Sequence, residues 1–179
     1  MSEQLPSPDE ALKILKESGC SPRVVEHCKA VAELALRIAD RCVRNGAKID
    51  IELIRIGGLL HDIGRSKTHS VHHAVAGSEI ARSFNLPSSV ASIIERHVGG
   101  GIAAEEAAEL GWPKGIYAPQ TLEEKIVTYA DKLIEEAKTV PIERTVQKLG
   151  EQLGADHPAL RRVMNLHQEM SRFCPKASN

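Results

Sequence analysis

The stretch Asp50–Gly64, DIELIRIGGLLHDIG, decides how this chain folds. Asp50 is a helix cap, and Leu53, Ile54, Gly57, Leu60 and His61 follow at the three- and four-residue spacing of a buried helical face. Gly64 is the expected stop of that helix. Gly57 and Gly58 predict that a neighbouring helix comes close. Upstream, Ser21 and Pro22 start a long helix whose stripe Val24, His27, Val31, Leu34 and Ile38 runs to Asn45 and Gly46, and Ser7 and Pro8 start a shorter one ending at Gly19. Downstream, helices are expected from about His72 to Phe84, from Ser88 or Ser89 to His97, and from Ile102 to Leu110 after the break Gly99, Gly100 and Gly101. Thr121 and Glu124 form a capping box for a helix over Leu122–Lys138. Two more follow Pro141 and Pro158. The irregular segment Gly111–Gln120 is the candidate substrate lid. No alternating β pattern or fixed repeat interrupts the series, so the fold class is all-α, a helical bundle over 1–179 with a core at 21–138 and a helical extension at 139–179.

Composition narrows the function. The 179 residues are 42% hydrophobic, enough for one domain-sized core without staples. Lys and Arg number 23 against 24 Asp and Glu, which removes the basic field of a protein that holds nucleic acid through phosphates. Aromatic residues make up 3%, too few for a base-stacking platform. The cysteines Cys20, Cys28, Cys42 and Cys174 form no CxxC pair and read as reduced thiols of a cytoplasmic protein. No apolar run is long enough to span a bilayer.

The histidines carry the chemical signal, because six of the eight fall within the first hundred residues. Taken alone, His27 on an apolar stripe reads more often as a core residue than as a ligand. His61 and Asp62 are adjacent, and adjacent side chains diverge by about 100° on a regular helix, so both address one ion only where the helix ends. Asp131 lies beside an apolar stripe, where a carboxylate needs a cation or a buried salt bridge to offset its desolvation. Imidazole with carboxylate and no thiolate selects Mn, Fe, Co, Ni or Mg rather than a structural zinc.

His27, the His61–Asp62 pair in HDIG and Asp131 in YADK resemble the H…HD…D signature of the HD superfamily of metal-dependent phosphohydrolases. The resemblance spans residues 21–138 and implies an HD-type bundle with His27, His61, Asp62 and Asp131 as metal ligands. His73 in HAVAG and His97 in ERHVGG are similar to the two histidines that some members add for a second ion, with Asp62 bridging. His72 is a weaker candidate. The absence of a GYP motif after His97 separates the chain from the cyclic-di-GMP phosphodiesterases, and its layout is closer to compact enzymes that split diadenosine tetraphosphate.

The resemblance implies hydrolysis of a phosphate ester or anhydride by a metal-activated water, with one or two divalent ions and a small phosphorylated substrate, a nucleotide in first place. Asp62 and His69 are the candidate catalytic residues, His69 as general acid. Arg65, Lys67, Arg96 and Lys132 are candidate phosphate-binding residues, weighed against ordinary surface charges. Two rival readings stand beside this one: a di-iron oxygenase on the same scaffold, and a non-catalytic nucleotide-binding or metal-stapled module. No membrane partner is expected, nucleic acid is disfavoured, and the last two helices offer a surface for a homo-oligomer. His157 and His167 read as packing or surface residues, and the region from Pro141 onward carries no interpretable motif, its Leu149, Leu153, Leu160, Val163, Leu166 and Met170 reading as packing positions.

Overall fold

A computed structural model describes residues 4–175; the outermost positions of the expected 1–179 unit lie outside the described residues. The elements are helices α1 (Pro8–Glu17), α2 (Pro22–Arg44), α3 (Ile51–Leu60), α4 (His73–Ser83), α5 (Ser88–Arg96), α6 (Ala104–Glu109) and α7 (Leu122–Lys132). A hairpin, β1 (Ile134–Glu135) and β2 (Lys138–Thr139), precedes α8 (Ile142–Leu153) and α9 (Pro158–Phe173). Short 3-10 turns at Ile63–Ser66 and Val98–Gly100 follow α3 and α5. The fold is all-α but for this hairpin, whose two-residue strands are too short for alternation to reveal.

Side-chain caps set the helix starts. Ser7, Ser21, Asp50 and Thr121 each accept a backbone N–H three residues on, which satisfies a donor that has no partner inside the helix. The apolar face of α2 carries the middle of the molecule. Val31, Ala35, Ile38 and Cys42 join Ile54, Ile126, Val127, Val163 and Met170 in the larger core, while Val24, Val25 and Cys28 join Leu15, Leu60, Ile63 and Ile94 in a second. Gly58 is what brings α3 onto α2: a Cβ there would stand 2.7 Å from the Ala32 Cα. The two glycines thus serve the close approach expected of them, with Gly57 facing the Ile93 side chain.

Four expectations need correction. Gly64 does not end α3 through a left-handed residue; it lies within the 3-10 turn, and its hydrogen faces the backbone of His73 and Gly77, so it sets the approach of α4. The helix expected to reach Lys138 stops at Lys132, because Glu136 adopts φ 58° and the chain folds back as the hairpin, with Val140 donating to the Leu133 carbonyl at 2.8 Å. Gly111–Gln120 is no lid over the site: Trp112 and Tyr117 are buried with Ala74, Ile102 and Ala107, and Trp112 Nε1 donates to His72 Nδ1 at 2.8 Å. Leu153, read as a packing position, is 46% exposed.

The reading of all four cysteines as thiols also fails. Cys42 and Cys174 form a disulfide that ties the end of α2 to the residue after α9, while Cys20 and Cys28 are free. The thiol-based argument for a cytoplasmic location falls with it. Closing a loop with a sequence separation of 132 residues restricts the unfolded chain strongly. Reduction is expected to destabilise the protein by on the order of 5 kcal/mol, read as a drop in melting temperature on adding a phosphine reductant. A melting temperature unchanged on verified reduction would count against a staple. Among the described residues, no helix is long and apolar enough to cross a membrane.

Candidate metal centre

Five elements bring six side chains to one point. His27 comes from the first turns of α2, His61 and Asp62 from the end of α3, His73 from the first residue of α4, His97 from the end of α5, and Asp131 from the last turn of α7. The His61–Asp62 pair works because α3 gives way there to the tighter 3-10 turn. Asp62 leaves helical geometry at φ −101°, ψ 15°, so neighbouring side chains reach the same centre. His61, Asp62, His73 and His97 are buried; His27 and Asp131 line the opening.

The hydrogen bonds around the rings fix which nitrogen points inward. His61 Nδ1 donates to the Gly58 carbonyl at 2.8 Å, His73 Nδ1 to Ser70 at 2.7 Å, His97 Nδ1 to Ile94 at 2.7 Å, and His27 Nδ1 to Glu136 at 2.7 Å. A carbonyl oxygen only accepts, so each Nδ1 carries a proton and each ring turns its Nε2 to the cluster, as a lone pair when the ring is neutral and as an N–H donor when it is protonated. The inward atoms crowd together. Asp62 Oδ1 lies 3.1 Å from His73 Nε2 and 3.3 Å from His97 Nε2, those two nitrogens are 3.2 Å apart, and Asp131 Oδ1 is 3.0 Å from His27 Nε2 and 3.4 Å from His61 Nε2. His61 Nε2 and Asp62 Oδ1 are buried without a hydrogen-bond partner among the described residues.

Lone pairs facing lone pairs in a buried site are costly unless a cation joins them. The donor set fits a divalent ion held by oxygen and imidazole nitrogen. Two overlapping groups, His27 with His61 and Asp131, and His61 with Asp62 and His97, have ligand atoms all within 4.8 Å of one another and could hold metal.

Each carboxylate uses its second oxygen outward. Asp62 Oδ2 accepts Arg65 Nε at 2.6 Å, and Asp131 Oδ2 accepts Lys132 Nζ at 2.6 Å. Burial works against ionising both acids. For Asp62 the charge of His61 and the Nε2–H donors of His73 and His97, which the rings offer in their protonated form, outweigh it, and for Asp131 the Lys132 ammonium with His27 and His61 does so, so both lie well below the usual carboxylate range while the centre holds no cation. Burial also dominates at His97, pushing its pKa down to about 4. A histidine lowered on folding binds its proton more readily when unfolded, so its contribution to stability is present above about pH 6.5 and is lost as the pH falls towards 4. Protein stripped of metal is therefore expected to lose melting temperature between pH 7 and pH 5, and His97→Gln to flatten that slope. An unchanged slope in the variant would contradict the assignment.

A cavity of about 500 Å³ opens beside the cluster, lined by His27, Asp62 and Asp131 and by Arg65, His69 and Lys132. His69 is exposed on its wall, and its carbonyl accepts Arg65 Nη1 at 3.3 Å. Two candidates stand apart. Lys67 is exposed and does not line the cavity, and Arg96 is committed to Glu124 at 2.9 and 3.1 Å and to the Ile116 carbonyl at 3.1 Å. Sequence reasoning missed the far wall: Arg23, Glu135, Glu136, Arg144, Thr145, Lys148 and Gln152. The four-residue spacing of Arg144 and Lys148 was the available signal.

Residues 24–135 match the HD domain family. A protein of Methanocaldococcus jannaschii described as uncharacterised is 48% identical over 92% of this chain and 97% of its own. A tRNA (cytidine(56)-2'-O)-methyltransferase of Picrophilus torridus is 38% identical over 95% of this chain, which spans 48% of that longer protein. Among solved structures, the HD domain of the L. monocytogenes phosphodiesterase PgpH in complex with cyclic-di-AMP superposes with a TM-score of 0.55 at 19% identity, covering 95% of this chain and 99% of that one.

Proposed function

Because the chain belongs to the HD domain family, we propose that it is a metal-dependent phosphohydrolase acting on a small phosphorylated substrate, a nucleotide in first place. The observation that supports this most is the convergence of inward Nε2 atoms on two carboxylates, with His61 Nε2 and Asp62 Oδ1 left unpaired in the buried centre. In this reading His27, His61, Asp62 and Asp131 hold one divalent ion, and His73 and His97 with Asp62 hold a second. Bound there, such ions supply a water acidic enough to attack phosphorus near neutral pH and offset the charge that builds on the phosphoryl oxygens.

The chain's own groups do the rest. Arg65 orients Asp62, Lys132 keeps Asp131 ionised and oriented, and both line the cavity, where phosphate oxygens would be received. His69, which lines the same cavity, would give a proton to the departing oxygen. The cyclic-di-AMP bound to PgpH supports a nucleotide ligand here. The tRNA methyltransferase relative raises RNA as a second substrate class, against which stand the net charge of −1 and the few aromatic residues.

A phosphate-release screen with Mn, Fe, Co, Ni and Mg over nucleoside phosphates, diadenosine tetraphosphate and cyclic dinucleotides tests the proposal. Release that disappears with chelator and returns with metal is expected. Turnover strictly dependent on O₂ without phosphate release would replace it by di-iron oxygenase chemistry, and tight binding without turnover by a sensor.

A further inference from the structure

The face of α8 that turns to the cavity carries Arg144, Thr145, Lys148, Leu149 and Gln152, spaced one helical turn apart. No step proposed above uses them. Thr145 Oγ1 donates to the Lys132 carbonyl at 2.6 Å, which fixes α8 against the residue beside Asp131. Glu135 on β1 accepts Arg144 Nε at 2.5 Å and Lys148 Nζ at 2.8 Å, so one carboxylate holds two long basic side chains at the rim.

That clamp leaves donors over. Both terminal nitrogens of the Arg144 guanidinium and the remaining hydrogens of the Lys148 ammonium make no hydrogen bond among the described residues. Glu151 also acts on Arg144, but around the cavity Arg23, Arg65, Lys132, Arg144 and Lys148 outnumber Asp62, Asp131, Glu135 and Glu136, and a guanidinium offering its terminal pair matches the spacing of phosphate oxygens. Val24, Ile134 and Leu149 supply the apolar part of the lining, and no Phe, Tyr or Trp lines it. The cavity of about 500 Å³ is of the size that takes one small ligand.

We propose that Arg144 and Lys148, held by Glu135, form a second anion subsite, so that the ligand preferred by this cavity carries a second phosphate beyond the one at the His/Asp cluster. A nucleoside phosphorylated at two positions of its sugar meets that requirement; a nucleoside monophosphate does not. The inference rests on the phosphohydrolase reading only for the role of the first phosphate.

Titration calorimetry on the intact, Mn-loaded chain tests it, with adenosine 3′,5′-bisphosphate and adenosine 5′-monophosphate as probes. The bisphosphate should bind about tenfold or more tightly. Arg144→Ala with Lys148→Ala should bring the ratio of the two affinities close to one. Glu135→Gln, which removes the competing carboxylate, should tighten the bisphosphate further. Equal affinities in the wild-type chain, a preference that survives the double substitution, or no binding of either nucleotide would overturn the subsite and return Arg144 and Lys148 to ordinary surface ion pairs. Hydrolysis assays on the same preparation separate the two ideas. An Arg144-dependent preference without turnover of any phosphate ester defeats the hydrolase and keeps the subsite, whereas turnover with equal affinities does the reverse.

Discussion

Asp62→Ala is expected to yield a chain that retains no divalent metal after dialysis and releases phosphate at least about a thousandfold more slowly than wild type. Asp62 lies beside all four histidines of the centre. Its Oδ1 lies beside His73 and His97, and its Oδ2 lies 3.8 Å from His27, 3.9 Å from His61 and 2.6 Å from Arg65. Removing it takes an anion from both candidate ion positions and leaves the Arg65 guanidinium without its partner. Stripping one member from a buried ionic network costs about 3 to 5 kcal/mol, so folding must be measured alongside. Asp62→Asn, nearly equal in shape, separates the effects: it should stay folded by circular dichroism yet still lose metal and turnover. Element analysis with phosphate release decides the matter, and full activity with bound metal in either variant would contradict it.

Gly64→Ala is expected to destabilise the protein by about 3 kcal/mol or more, despite adding only a methyl group. That methyl would be built into the His73 carbonyl oxygen and stand 2.6 Å from the Gly77 nitrogen, both backbone atoms of α4. No side-chain rotation relieves such contacts, so α4 must move away from the turn that carries Asp62. Since His73 is the first residue of α4, metal held through His73 should weaken as well. Chemical denaturation measures the stability, with Gly115→Ala as control because the nearest atoms to its Cβ would be the Tyr117 ring at 3.4 Å. A Gly64→Ala chain as stable as the control would show that this approach does not matter.

Much of this was legible in the sequence because it was local. Caps at Ser7, Ser21, Asp50 and Thr121, and stripes of three- and four-residue period, are properties of short windows, and they place the starts of these helices. The histidines and acids were legible as a set because each sits at a helix end or on an inward stripe, and the structure brings His27, His61, Asp62, His73, His97 and Asp131 together. What escaped was non-local. The Cys42–Cys174 bond joins residues that no spacing connects. Glu136 gives no composition cue that it will turn the chain, yet its carbonyl fixes the His27 ring. Gly64 looked like a helix stop because its real neighbours, His73 and Gly77, come from another helix. Arg144 and Lys148 went unnoticed because only the placement of α8, with Thr145 held on the Lys132 carbonyl, turns them toward the cavity.

The most direct test of the whole account is the number of divalent ions the folded chain retains at neutral pH, measured by element analysis after Mn or Co loading and exhaustive dialysis. One to two ions per chain, lost together with phosphate release on chelation, is the predicted result. A folded chain that retains none while all six side chains are intact would contradict it.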